Sequence, residues 1–178
     1  PRAAIAAGIA YVPEDRRSQG LVVAHAIRRN LSLPLLPRFR RLPRLPFPSR
    51  PRERAFARTV RERLGVKMGD AEAPVASLSG GNQQKILLGR WLAQTNALYL
   101  LDEPTRGIDV GAKAELHARV RELAGAGAAV LFATSDLTEI FQLADRVGIV
   151  REGALAGIAD VAETTPEQIL ALCYGRAA

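Results

Sequence analysis

The sequence predicts an α/β fold built on a mostly parallel sheet. Short apolar runs alternate with longer segments of helical composition. The runs Ala97–Leu101, Ala128–Ala133 and Val147–Val150 are continuous rather than alternating, the pattern of strands buried on both faces. One of them delivers two carboxylates, Asp102 and Glu103, at its C-terminal end, where α/β proteins place ligands.

The elements follow in order. Ile9–Val12 reads as a short strand ended by Pro13, and Ala26–Leu33 as one or two helical turns. Residues 34–51 carry Pro34, Pro37, Pro43, Pro46, Pro48 and Pro51 among arginines, which excludes a continuous helix or a central strand and predicts an irregular insert. From Arg52 to Leu64 a helix is expected, with Phe56, Val60 and Leu64 at four-residue spacing and Gly65 as its stop. A loop after Ser77 leads to a helix at about Asn82–Gln94, then the strand Ala97–Leu101 and a helix at about Gly111–Leu123. The strand Ala128–Ala133, the helix Asp136–Leu143 and the strand Val147–Val150 follow. Arg151-Glu152-Gly153 turns into a short strand near Ala154–Ile158, and Pro166 opens the last helix. No internal repeat is visible.

Composition narrows the function classes. The 178 residues suffice for one domain with a core, and an apolar fraction of 48% is ordinary. No run approaches the ~20 apolar residues of a membrane span, and the first residues carry no signal-peptide pattern. Cys173 is the only cysteine, so an internal disulfide and a multi-thiolate zinc site are excluded. The net charge of +7 comes mainly from arginine, with ten arginines between Arg38 and Arg63. Such a patch suits a nucleic acid or an anionic membrane, but it also suits a solvated insert. It holds no lysine and only phenylalanine as aromatic, and it matches no nucleic-acid module, so nucleic acid is not the expected partner.

Two segments carry chemistry. In Leu78-Ser79-Gly80-Gly81-Asn82-Gln83-Gln84-Lys85, two glycines at a helix start let a backbone approach an anion, which the exposed N–H groups and the helix dipole favour. Ser79 adds a hydroxyl donor. A flexible loop would use Ser-Gly-Gly as well. In Ala97–Pro104, Asp102 can help hold Mg²⁺ through water, and Glu103 can polarise a water attacking a γ-phosphate. An acidic strand end before a turn is also common. The order and spacing outweigh both plain readings: Ser79 lies 23 residues before Asp102, and Asp109 follows seven residues after it.

On these residues the sequence resembles the ABC ATPase family, over about residues 8–160. Leu78–Gln84 is similar to the signature loop, Leu98–Glu103 to the Walker B strand with its catalytic glutamate, and Gly107-Ile108-Asp109 to the D-loop. Ala144-Asp145-Arg146-Val147 and Arg151-Glu152-Gly153 match the downstream pattern. At a finer level Leu78–Lys85, Asp102–Lys113 and Tyr11–Arg16 resemble the second ATPase half of ribose/galactose/xylose-type sugar importers. The resemblance implies a P-loop NTPase-like fold with a helical subdomain at about 15–95 that contains the insert 34–52, an α/β core at 96–160, and a C-terminal helix and tail at 161–178.

The departures bear on activity. A Walker A loop needs Gly-Lys before Ser or Thr, and none of Lys67, Lys85 and Lys113 follows a glycine. The chain also does not start with methionine, and a domain incomplete at its N-terminus is the expectation. Glu14 stands where the family carries the Q-loop glutamine, and Ser135 where it carries the switch histidine. A serine neither spans the reach of an imidazole nor carries its charge. His25 and His117 do not replace it and read as surface or packing residues.

The resemblance implies a head-to-tail sandwich that uses ATP and Mg²⁺. Ser79, Gly80, Gly81 and Asn82, with Asp109, would face ATP held by the first half of the same polypeptide or by a second copy. Glu103 would be the catalytic residue and Asp102 the Mg²⁺ partner of a site weakened by Glu14 and Ser135. Permease subunits, and indirectly a periplasmic sugar-binding protein, would be partners at the cytoplasmic face of the inner membrane. A non-transport ABC ATPase acting on nucleic acid or the ribosome, and a non-catalytic interaction remnant, remain open from the sequence.

Overall fold

The computed structural model describes residues 1–42 and 47–175. The chain forms two compact units, Pro1–Ala133 and Thr134–Ala178.

In the first unit, helix α1 (Arg2–Ala6) precedes strand β1 (Ile9–Val12). A π-helical turn, Arg16–Gly20, follows, and Asp15 caps it by accepting the N–H groups of Arg17 and Ser18. Helices α2 (Ile27–Ser32), α3 (Leu36–Phe39), α4 (Arg50–Leu64) and α5 (Gly80–Gly89) make up the helical part. Strand β2 (Leu98–Asp102), helix α6 (Val110–Gly125) and strand β3 (Ala129–Ala133) complete the unit. The strands are parallel in the order β1-β2-β3, with Tyr11, Leu100 and Leu131 in one row of the register. Burial alternates along β1 and β2. Ala10, Val12, Tyr99 and Leu101 are buried, whereas Tyr11 in β1 and Leu131 in β3 are exposed.

Helices α2, α4 and α5 share an apolar core that includes Ile27, Leu31, Ala57, Val60, Ile86 and Leu87. The approach of α5 to α4 depends on Gly89: a Cβ there would lie 2.5 Å from Val60 Cγ1. One polar network is buried with this core. Arg28, 3% exposed, donates to Glu53 Oε2 at 2.5 Å and to Glu72 Oε1 at 2.8 Å, and Ser32 donates to Glu53 Oε1. Arg54 also donates to Glu72.

The proline-rich stretch corrects the expectation of an irregular insert. Leu33–Leu35 is a 3₁₀ turn, α3 follows it, and α4 begins at Arg50, two residues earlier than predicted. Pro34, Pro37 and Pro51 lie in the first turns of their helices, where the missing N–H is no loss and the fixed φ suits the helix. Leu35 and Phe39 are buried, and the Phe39 ring lies 5.2 Å from that of Phe56. The head of the stretch therefore belongs to the core rather than to a solvated loop. Pro43, Arg44 and Pro46 lie outside the described residues. Other boundaries shift modestly: the helix expected at Asn82–Gln94 is α5 followed by a 3₁₀ turn, Arg90–Ala93.

In the second unit, helix α7 (Leu137–Leu143), strands β4 (Arg146–Arg151) and β5 (Ala154–Asp160) and helix α8 (Pro166–Tyr174) surround Ile140, Val147, Ile149, Val161 and Ile169. Strands β4 and β5 pair antiparallel, so the parallel arrangement holds for β1–β3 only. The two residues between them, Glu152 and Gly153, both have positive φ and make a hairpin turn, far too short for the crossover a parallel pair needs. Thr165 and Gln168 form a capping box at the start of α8.

Candidate nucleotide-binding site

Ser79 is the N-cap residue of α5, yet its side chain makes no capping bond. Its Oγ instead accepts from Asn82 Nδ2 at 2.8 Å, and Asn82 Oδ1 accepts the Lys67 N–H at 2.8 Å. Among the described residues the N–H groups of the first turn therefore receive no side-chain capping bond at this end, with Ser79 itself exposed. Gln83, 1% exposed, donates to Leu78 O and so fixes the loop that leads into the helix. Uncapped N–H groups at the positive end of a helix favour an anion.

The signature-like loop packs on the segment that resembles the D-loop. A Cβ on Gly81 would lie 3.0 Å from Ala112 Cβ, and one on Gly80 would lie 3.3 Å from Gly107 O. Asp109 is the N-cap of α6, its Oδ1 accepting the Ala112 N–H at 2.9 Å. Ser79–Asn82 and Asp109 are thus brought into one neighbourhood.

Asp102 ends β2, and its Oδ2 accepts the Tyr11 hydroxyl at 3.3 Å. Burial, with the charge and hydrogen bond of Asp102, pushes the Tyr11 hydroxyl above its ordinary pKa. Glu103 has φ of 42°, a left-handed conformation that costs a non-glycine residue about 1–3 kcal/mol. Its N–H is held by Ala133 O at 2.9 Å, and Arg106 N returns to Glu103 O at 3.1 Å. Among the described residues no three His, Cys, Asp or Glu side chains converge as a metal cage. Asp102 could hold Mg²⁺ only as one contributor, the other ligands coming from outside the protein side chains.

Glu14 forms an ion pair with Arg106, in the turn after the two carboxylates. Ser135 belongs to the second unit, in the turn between Thr134 and the α7 N-cap Asp136. His25 is exposed and His117 is buried in α6. Sequence reasoning missed the side chain that joins these motifs, Arg16: its Nη1 donates to Arg106 O at 3.1 Å. The segment Tyr11–Arg16 was visible as part of the resemblance, but no motif spacing announces a contact 90 residues along the chain. A cavity of about 250 Å³ is lined by Leu64, Leu88, Glu115 and Leu116 and includes Lys85, but none of Ser79, Asp102, Glu103 or Asp109. At the start of α5 Ser79 is exposed, and Gly80, Gly81 and Asn82 are half-buried.

A parallel sheet with two carboxylates at one strand end, and a glycine-rich helix start packed beside the aspartate that caps α6, fit the ATP-binding cassette class. Residues 2–106 match the ABC transporter family, and the chain belongs to that family. It is 46% identical over 98% of its length to the ribose import ATP-binding protein RbsA 2 of Rubrobacter xylanophilus. It is 44% identical over 99% to the arabinose import ATP-binding protein AraG 2 of Burkholderia thailandensis. The chain spans about a third of the length of these relatives, 33% in each case. Among solved structures it superposes on the dimeric ATP-binding cassette MJ0796 in a post-hydrolysis state bound to ADP and Pi. The TM-score is 0.70 at 21% identity, with 86% of this chain and 62% of that one covered. A metal-chelate type ABC transporter in an inward-facing conformation gives a TM-score of 0.73 at 20% identity, covering 94% and 64%. These two likenesses establish the ABC ATPase fold. No described helix is long and apolar enough to cross a membrane.

Proposed function

We propose that the chain is the signature-loop and Walker B portion of an ATP-binding subunit that powers sugar import. The observation that carries this reading is the uncapped N-terminus of α5, with Ser79 exposed and Gly80 and Gly81 packed on the Gly107–Ala112 segment. That geometry presents backbone donors to a phosphate arriving from outside the chain. The names of the relatives supply the sugar-import part.

In this reading Ser79, Gly80, Gly81 and Asn82, with Asp109, face ATP held by another ATPase domain, either the other half of the polypeptide or a second copy. Asp102 would help hold Mg²⁺ through water at this chain's own site, where the ion would supply neutralisation of phosphate charge. Glu103 orients and polarises the attacking water from the turn that follows β2. Glu14 and Ser135 leave that site without the usual glutamine and histidine. No Gly-Lys-Ser/Thr loop occurs in these 178 residues, and this reading requires a phosphate-binding lysine from outside them. Permease subunits, a periplasmic sugar-binding protein and the inner face of the membrane complete the assembly.

ATP hydrolysis and sugar uptake by the full-length protein with its permease test the reading. Sugar-stimulated turnover is the expected result. A protein that hydrolyses ATP only in response to nucleic acid or ribosomes would overturn the import assignment, and one that never hydrolyses ATP would overturn the enzymatic one.

A further inference from the structure

We infer that Arg16 is a positioning residue that clamps the Arg106–Gly107 turn to the N-terminus of α5, so that the signature-like loop and the Asp109 turn act as one rigid piece. The inference rests on the reading of Ser79–Gly81 as a nucleotide-facing loop. Three segments distant in sequence meet at one guanidinium. Nη1 donates to Arg106 O at 3.1 Å, and Nη2 points to Gly107 O at 3.5 Å. The same Nη2 lies 2.8 Å from where a Cβ on Gly80 would stand, so the absence of a side chain at Gly80 makes room for it.

Arginine is the side chain suited to this place. Its planar fork can reach two successive carbonyls at once, whereas a lysine ammonium reaches them only as a mobile point. A cation beside a helix N-terminus is opposed by the dipole, and the two carbonyl oxygens offset that opposition.

The anchor behind Arg16 is fixed as well. Asp15 caps the π-helical turn that carries it. Beyond α5, Arg90 Nη2 donates to Gly20 O at 2.5 Å, and Trp91 Nε1 donates to Tyr11 O at 3.0 Å. Arg90 is 7% exposed, and its burial lowers its pKa to about 10. The segment from Tyr11 to Gly20 is thus tied to the C-terminal side of α5 at both its ends, and Arg16 carries that hold across to the turn after Glu103. The Glu14–Arg106 pair lies alongside but is solvent-exposed on both sides, 40% and 67%, and exposed pairs contribute only about 0–1 kcal/mol. The Arg16 bonds, in contrast, run from one guanidinium to two successive backbone carbonyls.

The test uses the full-length protein with Arg16→Met, Arg16→Lys and Arg106→Ala. Hydrogen exchange of residues 104–109, melting temperature, and kcat and KM for ATP are measured. Arg16→Met is expected to speed exchange in 104–109 roughly tenfold or more while the melting temperature stays within a few degrees. It should lower kcat about tenfold with KM changed less than about threefold, because the residue shapes the closed site rather than binding nucleotide. Arg16→Lys should recover part of both losses. Arg106→Ala keeps the carbonyl and should change exchange less than about threefold. Unchanged exchange in Arg16→Met overturns the clamp. A rise in KM alone overturns positioning in favour of simple attraction of an anion, and a kcat loss that tracks a falling melting temperature overturns it in favour of general stability. If the wild-type protein shows no turnover, the ATPase reading fails, and the exchange measurement still decides whether Arg16 holds the turn.

Discussion

Replacing Gly81 separates packing from charge at the signature-like loop. A Cβ at this position would stand 3.0 Å from Ala112 Cβ, tighter than an ordinary contact, and 3.9 Å from Asp109 Oδ2. Gly81→Ala therefore introduces overpacking, which costs about 1–3 kcal/mol. Gly81→Asp adds a carboxylate near that of Asp109. Two such charges ~4 Å apart repel by about 1 kcal/mol in water and about 4 kcal/mol at an effective dielectric of 20. Asp109 is exposed, so the lower figure applies, and the helix N-terminus returns about 0.3–1 kcal/mol to a negative charge in its first turn. Packing thus dominates stability, and the two variants should melt at similar temperatures. Turnover should separate them, because only aspartate places a negative charge where a phosphate approaches. Expected values are a loss of roughly tenfold or less for Gly81→Ala and roughly a hundredfold or more for Gly81→Asp, the difference corresponding to ~1.4 kcal/mol per tenfold. The assay is phosphate release by the full-length protein at saturating Mg-ATP, with Glu103→Gln alongside. Equal losses for Ala and Asp would refute the phosphate-approach reading of Gly81. A larger loss for Glu103→Gln than for Gly81→Asp would show that this chain's own site, not the opposite one, carries turnover.

Three stability predictions follow from the helical part of the first unit. Glu53→Gln leaves Arg28 buried without its innermost carboxylate and should cost about 3–5 kcal/mol in urea unfolding; a cost below about 1 kcal/mol would mean that Glu72 alone satisfies the arginine. Hydrogen bonds from Arg28 and then Arg54 lower the Glu72 pKa from 4.5 to about 2. The folded state therefore binds fewer protons there than the unfolded chain, so this contribution is complete above pH about 4.5 and disappears as pH falls through about 2. Glu72→Gln should flatten that part of the acid-unfolding profile, and an unchanged profile would contradict the assignment. Phe39→Ala should cost about 3–5 kcal/mol as a core truncation, whereas Phe47→Ala, at a 74% exposed position, should stay within about 0.5 kcal/mol; equal effects in thermal melts would show that the proline-rich stretch does not pack as described.

Much of the fold was legible because its signals are local. Continuous apolar runs marked β2 and β3, four-residue spacing marked α4, and Gly65 ended that helix in the left-handed conformation that glycine allows. The glycine pair and the carboxylate pair marked the candidate site for the same reason: each motif is a few residues whose chemistry shows in their order. The prolines misled because one residue type serves two purposes. Pro34, Pro37 and Pro51 break a helix from within but start one at its first turn, and the burial of Leu35 and Phe39 decides which applies.

The sequence by itself determined the strand–helix order from β1 onward except for α3, the glycine pair at the α5 helix start, and the acidic pair Asp102–Glu103. Those properties follow from backbone propensity and side-chain chemistry within a short window. Only the tertiary structure decided the strained φ of Glu103, the burial of Arg28 with Glu53, and the meeting of Arg16 with Arg106, Gly107 and Gly80. Each of these depends on residues tens of positions apart being held within hydrogen-bonding or van der Waals distance. That proximity is fixed by how the sheet and helices pack, and no local pattern encodes it.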